Sequence, residues 1–144
     1  MSRVKVKFPD EKPLHKINLP VRIGDINYGN HLGNDAVLSI VHESRMQLLC
    51  HLGFQDELNI DGLGLIMADV MIAYKGEAFY GDILDISIYA ENITEVSFDL
   101  LYHISTVKHG ANKDIAHAKT GMISFDYTVR KIAAMPDRLK NSFK

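Results

Sequence analysis

Residues 24–54 read GDINYGNHLGNDAVLSIVHESRMQLLCHLGF. The first part, Gly24 to Asp35, sets two carboxylates, a histidine and three asparagines among three glycines. Gly and Asn alone would make an ordinary turn, because both tolerate positive φ. The remainder has the spacing of a helix. It is expected to start at Asn34 or Asp35, both good N-caps, and to end at Gly53. That is about 19 residues, or roughly 28 Å. From Ala36 to Val41 only Ser39 is polar, so the first turns show no solvent face and the helix is expected to be buried on more than one side. A dense polar cluster at the mouth of a buried helix is the arrangement expected of an active site.

The rest of the chain supplies the partner for that helix. Residues 1–15 are polar and carry Pro9 and Pro13, an extended lead-in, and HKINLPVRI (15–23) reads as a first strand. After QDELNIDG come LGLIMADVMIAYKG, DILDISIYAENI, VSFDLLYHISTV and DIAHAKTGMISFDYTV. The middle two alternate, with Leu84, Ile86, Ile88 and Ala90 on one face, then Val96, Phe98, Leu100, Tyr102 and Ile104. Period-2 runs joined by short Gly-containing links predict an antiparallel meander. No repeat or linker divides residues 1–144, so a single domain is expected. One helix and about five long strands bury their apolar surfaces together when a curved sheet wraps the helix. This α+β arrangement is the hotdog architecture.

Composition narrows the function classes. The chain of 144 residues is 47% hydrophobic and 24% charged with a formal net charge of -2, which argues against a general nucleic-acid binder. Cys50 is the only cysteine, so neither an intrachain disulfide nor a cysteine-based zinc site is expected. The stretch MSRVKVKFPDEKP lacks the apolar core of a secretory signal, and no apolar run reaches membrane-spanning length. By elimination the expected setting is reducing and cytoplasmic. Of the seven histidines, His42, His51, His103, His109 and His117 show no paired ligand spacing, so no metal site is expected.

The loop and helix together are more specific. VRIGDINYGNHLGNDAVLSIVHESR resembles the 4-hydroxybenzoyl-CoA and acyl-ACP thioesterase branch of the hotdog superfamily, with its pattern R-x-x-D-x-D-x-x-x-H-V-N-N and a Glu twelve residues after the His. Arg22, Asp25, His31, Asn34 and Glu43 fall in that register. AYKGEAFYGDIL and DYTVRKIAAMPDRL are similar to the later strands. The resemblance implies a thioester hydrolase acting on an acyl-CoA or acyl-carrier-protein thioester. It also implies no cofactor beyond the coenzyme A of the substrate, and a homodimer or dimer of dimers with sites at the seam. Two positions depart from the pattern. Asn27 stands where many relatives have the Asp that serves as nucleophile or base, and an amide can do neither job. Gly33 stands where Asn is common.

The expected catalytic set is Asp25, Asn27, His31 and Glu43, with Gly33 and Asn34 offering backbone N–H groups to the carbonyl oxygen at a helix N-terminus. Each has a structural reading beside the functional one. Asp35 reads as an N-cap and Asp25 as a loop brace. His31 reads as a hydrogen-bonded structural histidine, and Glu43 as the ion-pair partner of Arg22 or Arg45. Cys50 reads as core filler, and Asp69 as half of a pair across a subunit interface. RKIAAMPDRLKNSFK (130–144) is basic; by resemblance Arg130 and Lys131 would meet the phosphates of coenzyme A, and otherwise the segment is a solvated tail. Two other functions fit the same loop: an (R)-specific enoyl-CoA hydratase with Asp25 and His31 as acid–base pair, and a non-catalytic acyl-CoA binding protein.

Overall fold

The computed structural model describes residues 1–144. Strand β1 (His15–Pro20) leads through a 3-10 turn (Ile23–Asp25) and the polar loop into helix α1 (Asn34–His51). Strands β2 (Gly64–Tyr74), β3 (Ile83–Glu91), β4 (Ser97–Lys108) and β5 (Ala111–Asp126) follow, then a two-residue β6 (Lys131–Ile132) and a short α2 (Asp137–Ser142). All pairings are antiparallel, in the order β1-β3-β4-β5-β2, with β6 on the end of β5. This is the hotdog fold that the element order predicts.

The meander is confined to β3, β4 and β5. Strand β2 does not pair with β3, its successor, but lies on the far side of β5. The connection Lys75–Asp82 therefore carries the chain from one edge region to the other. It passes the helix entrance, where Leu32 N donates to Ala78 O at 2.8 Å. The core joins α1 to the inner sheet face through Val37, Val41, Leu48, Ile86, Leu100 and Ile104.

Helix α1 stops at Gly53 as expected but differs from expectation in its N-cap and on one face. The N-cap is Gly33, without a side-chain cap bond, and Asp35 falls inside the first turn. At the other end Phe54 N donates to Leu49 O at 2.9 Å and Gly53 N to Cys50 O at 3.0 Å. Gly53 has φ +94°, so the helix closes in a Schellman motif that a side chain at position 53 would strain. The buried residues are Val37, Ile40, Val41, Ser44, Arg45, Leu48 and Leu49. Leu38, Ser39, His42 and Glu43 are exposed, because the sheet of one chain covers only one side of the helix. Cys50 is exposed too, with a free thiol, and is not core filler.

The basic C-terminal segment is docked rather than solvated. Met135 and Leu139 are buried and the Phe143 ring lies 4.7 Å from that of Phe98. Arg138 pairs with Asp61 at 2.8 Å and stacks over Phe54. No helix is long and apolar enough to cross a membrane.

Candidate active site

The loop between β1 and α1 is held by its own acceptors. Asp25, only 8% exposed, takes Arg22 N at 2.9 Å and Arg22 Nε at 3.5 Å, and its carbonyl takes Gly33 N at 2.9 Å. Asn27 Oδ1 accepts from Gly29 N at 2.8 Å and His31 N at 3.4 Å. Asn27 N in turn donates to His31 O at 2.9 Å. Asn27 thus closes an Asx turn onto Gly29, while one carboxylate oxygen of Asp25, Oδ2, holds both the backbone and the side chain of Arg22. Asp25 and Asn27 therefore shape the loop that presents His31.

His31 Nδ1 lies 3.1 Å from Leu32 O. A carbonyl only accepts, so Nδ1 carries the proton and the neutral ring keeps a lone pair on Nε2. Beside it, the N–H of Gly33 is already spent on Asp25 O, which removes it from the expected carbonyl-binding pair. The N–H groups of Asn34, Asp35 and Ala36 have no acceptor within the chain, as the first turn of a helix dictates. A cleft of about 280 Å³ opens there, lined by His31, Asn34, Val37, Tyr74, Glu77 and Ile115 among others. The Tyr74 hydroxyl donates to Asn34 O at 3.0 Å, a tie between β2 and the helix entrance that linear spacing did not indicate.

Asp25 and Glu43 line a different cleft, about 180 Å³, with Leu19, Pro20, Arg22 and Ser39. Glu43 is exposed and accepts from Gln47 Nε2 at 3.1 Å. It pairs with neither Arg22 nor Arg45: Arg22 serves Asp25, and Arg45 Nε donates to Glu57 Oε1 at 2.8 Å. Arg45 also reaches the hydroxyl of Tyr102 at 3.4 Å, which meets Thr120 Oγ1 at 2.8 Å. Burial pushes the Tyr102 hydroxyl above its ordinary pKa, despite Arg45 and Thr120. His42 approaches the same Glu57 at 3.3 Å, and these groups floor a third cleft of about 370 Å³ that reaches Met67 on β2. The expected catalytic set is thus divided between clefts in one chain. So is the hydratase pair of Asp25 and His31.

Arg130 and Lys131 lie at the other end of the sheet. Lys131 pairs with Asp126, and Phe125 opposes Gly64 at the start of β2, whereas Tyr74 at its end opposes Ala116. The nine steps along β5 from Ala116 to Phe125 span about 30 Å, so within one chain these cations stand at the opposite end of the strand from the Asn34 cleft. Asp69 pairs inside the chain. It follows a bulge in β2 and accepts from Lys119 Nζ at 2.8 Å and Gly121 N at 3.1 Å. The Lys119 hydrogen bond holds its carboxyl below the ordinary pKa. The absence of paired ligand spacing among the histidines does not survive folding either, since His103 stands directly across from His117.

A family model described as the Thioesterase-like superfamily matches residues 21–143. The chain belongs to that superfamily. The expectation of a thioester hydrolase on a hotdog fold is borne out at this level. Among solved structures it is similar to a 1,4-dihydroxy-2-naphthoyl-CoA thioesterase from Synechocystis, at 19% identity and TM-score 0.79 over 89% of this chain and 93% of that one. A gentisyl-coenzyme A thioesterase follows at 18% identity and TM-score 0.77, covering 90% of this chain and 100% of the other. An aspartate-to-asparagine mutant of 4-hydroxybenzoyl-CoA thioesterase, complexed with 4-hydroxybenzoyl-CoA, matches at 14% identity and TM-score 0.77, covering 88% and 96%. At these identities the likeness establishes the shared fold. No curated protein matches the chain.

Proposed function

We propose that this member of the superfamily hydrolyses an acyl-CoA thioester to free acid and thiol in the cleft between the N-terminus of α1 and the Tyr74 end of β2. One observation carries the reading: the N–H groups of Asn34, Asp35 and Ala36 stand at a helix start without acceptors, and Asn34 lines the same cleft as His31. A thioester carbonyl placed there meets donors and the positive end of the helix dipole, which stabilise the oxyanion as it forms. His31 Nε2 takes a proton from water as that water's oxygen bonds to the carbonyl carbon. The tetrahedral intermediate then collapses, the C–S bond breaks, and the imidazolium returns its proton to the departing thiolate. Asp25 and Asn27 act as positioning residues, through the loop backbone.

The working unit in this proposal is a homodimer or a dimer of dimers. Strand β2 has a neighbour on one side only, and Met67, Ala68, Asp69 and Val70 are exposed in succession. A long open edge of this kind invites pairing. Two copies of β2 paired antiparallel would set the Gly64 end of one against the Tyr74 end of the other. Arg130 and Lys131 would then approach the cleft of the second copy, where a coenzyme A phosphate has use for two cations. A reducing cytoplasm suits the exposed thiol of Cys50.

Thiol release from a panel of acyl-CoA and acyl-carrier-protein thioesters tests the reading, starting with the hydroxylated aromatic acyl-CoAs on which the named relatives act. Release that disappears in His31→Ala supports it. Loss of enoyl absorbance without thiol release would make the protein a hydratase, and a ligand-induced melting shift without turnover would make it a binder; either overturns the proposal.

A further inference from the structure

On the outer face of the sheet, away from the cleft, two imidazoles and a carboxylate converge. His103 of β4 stands opposite His117 of β5. Asp114 is three residues before His117, and strict alternation would send it to the other face of the sheet. The register shifts between Ile104 and Ser105: Ile104 opposes Ala116, but Ser105 opposes Asp114, leaving Ile115 as the extra residue. The bulge turns Asp114 onto the face of the two histidines. Asp114 Oδ1 lies 2.9 Å from His103 Nε2 and Oδ2 lies 2.9 Å from His117 Nε2. One ligand atom from each residue lies within 4.8 Å of the others.

We propose that His103, Asp114 and His117 form a binding site for a divalent first-row cation of the zinc type, held by two imidazole nitrogens and a carboxylate with water completing the shell. The spacing suits the chemistry. Two ligands at about 2.1 Å from zinc in a tetrahedral shell are about 3.4 Å from each other, so the cation needs each 2.9 Å contact of the present triad to open by about half an ångström. The ligand types are those zinc takes, and paired strands fix them better than a loop would. The side chains are 34%, 47% and 17% exposed for His103, Asp114 and His117, which leaves an entry path and room for water. The ring of Phe8 lies 5.1 Å from both imidazoles, an apolar wall on one side that ties the N-terminal segment to the site. Ile115, the bulged residue, lines the His31 cleft, so the site stands behind that cleft and takes no part in its chemistry.

The competing arrangement is a carboxylate accepting N–H bonds from two neutral imidazoles, with no ion. Calorimetric titration of untagged, chelator-treated protein with zinc chloride separates the two. The expected result is one zinc per chain with micromolar affinity and a raised melting temperature. Affinity should fall at least tenfold in His117→Ala and in Asp114→Asn. His51→Ala, which removes the stacked partner of His15, should bind zinc as the parent does. Circular dichroism of each variant checks that it folds, and His103→Gln provides a third removal with little change in volume. Absence of saturable binding up to millimolar zinc, or equal binding by folded His117→Ala and His103→Gln, overturns the proposal and leaves a hydrogen-bonded triad.

Discussion

Asn27 stands where the family pattern has an aspartate, and its side-chain oxygen is already committed to Gly29 N and His31 N. Asparagine and aspartate accept these bonds equally well, so Asn27→Asp should fold with unchanged melting, while Asn27→Ala should lose about 1 kcal/mol. The charge is the difference. Asn27 Oδ1 and His31 Nε2 lie 3.2 and 3.3 Å from one point beside Gly29. A carboxylate so placed favours the imidazolium and raises the pKa of the His31 ring. A base with a raised pKa is protonated over a wider range, so thiol release by Asn27→Asp should fall and its acid limb should move to higher pH. His31→Ala should lose about 10²–10⁴ in rate. A profile for Asn27→Asp that superimposes on the parent's would remove position 27 from the reaction centre.

At the scale of elements, the cleft depends on how β2 leaves the sheet. A Cβ at Gly76 would sit 2.6 Å from the backbone oxygen of Asp114. Backbone cannot swing aside as a side-chain tip can, so Gly76→Ala should cost about 1–3 kcal/mol. Because Gly76 lines the His31 cleft, KM should rise as well; unchanged melting and KM would show that this turn moves freely. The far end of the same connection carries a charge-dependent brace. Asp82 accepts from Lys108 Nζ at 2.6 Å and Phe79 N at 2.8 Å. Burial pushes its carboxyl up, but these bonds outweigh that and hold it below its ordinary 3.8. A depressed carboxylate stabilises the fold fully above the unfolded pKa and loses that contribution as pH falls through the folded one. Asp82→Asn should therefore be less stable than the parent at pH 7 by about 1–2 kcal/mol, with the gap closing as the pH falls below the ordinary 3.8 and through the lowered folded pKa. Denaturant melts at pH 7 and in acid check this, and a gap that widens in acid contradicts it.

For the whole molecule, the open face of α1 and the free edge of β2 belong to one problem. Leu38, Met67 and Val70 are all more than a third exposed, and one chain has no further element to cover them. Sedimentation at micromolar concentration should show a dimer or larger, and Val70→Lys, a charge on the edge strand, should shift it towards 16.2 kDa. The parent running only at that mass would sink the seam proposed for Arg130 and Lys131.

Much of this was legible in local sequence. The alternation of β3 and β4, the Gly53 stop and the polar loop before an apolar helix follow from period and turn chemistry, which act within a few residues. The register of Asp25, His31 and Asn34 against the family pattern located the helix entrance for the same reason. What sequence period cannot carry is which strands become neighbours and which face of an element meets solvent. The position of β2 beyond β5 decided that Tyr74 reaches Asn34, that Asp69 pairs with Lys119, and that Arg130 lies far from His31. The one-sided cover of α1 left Glu43 exposed, although its neighbours read as buried. A single bulge between β4 and β5 turned Asp114 towards His103 and His117, residues with no shared spacing in the chain. Those contacts join segments up to about fifty residues apart, and only closure of the sheet brings them together.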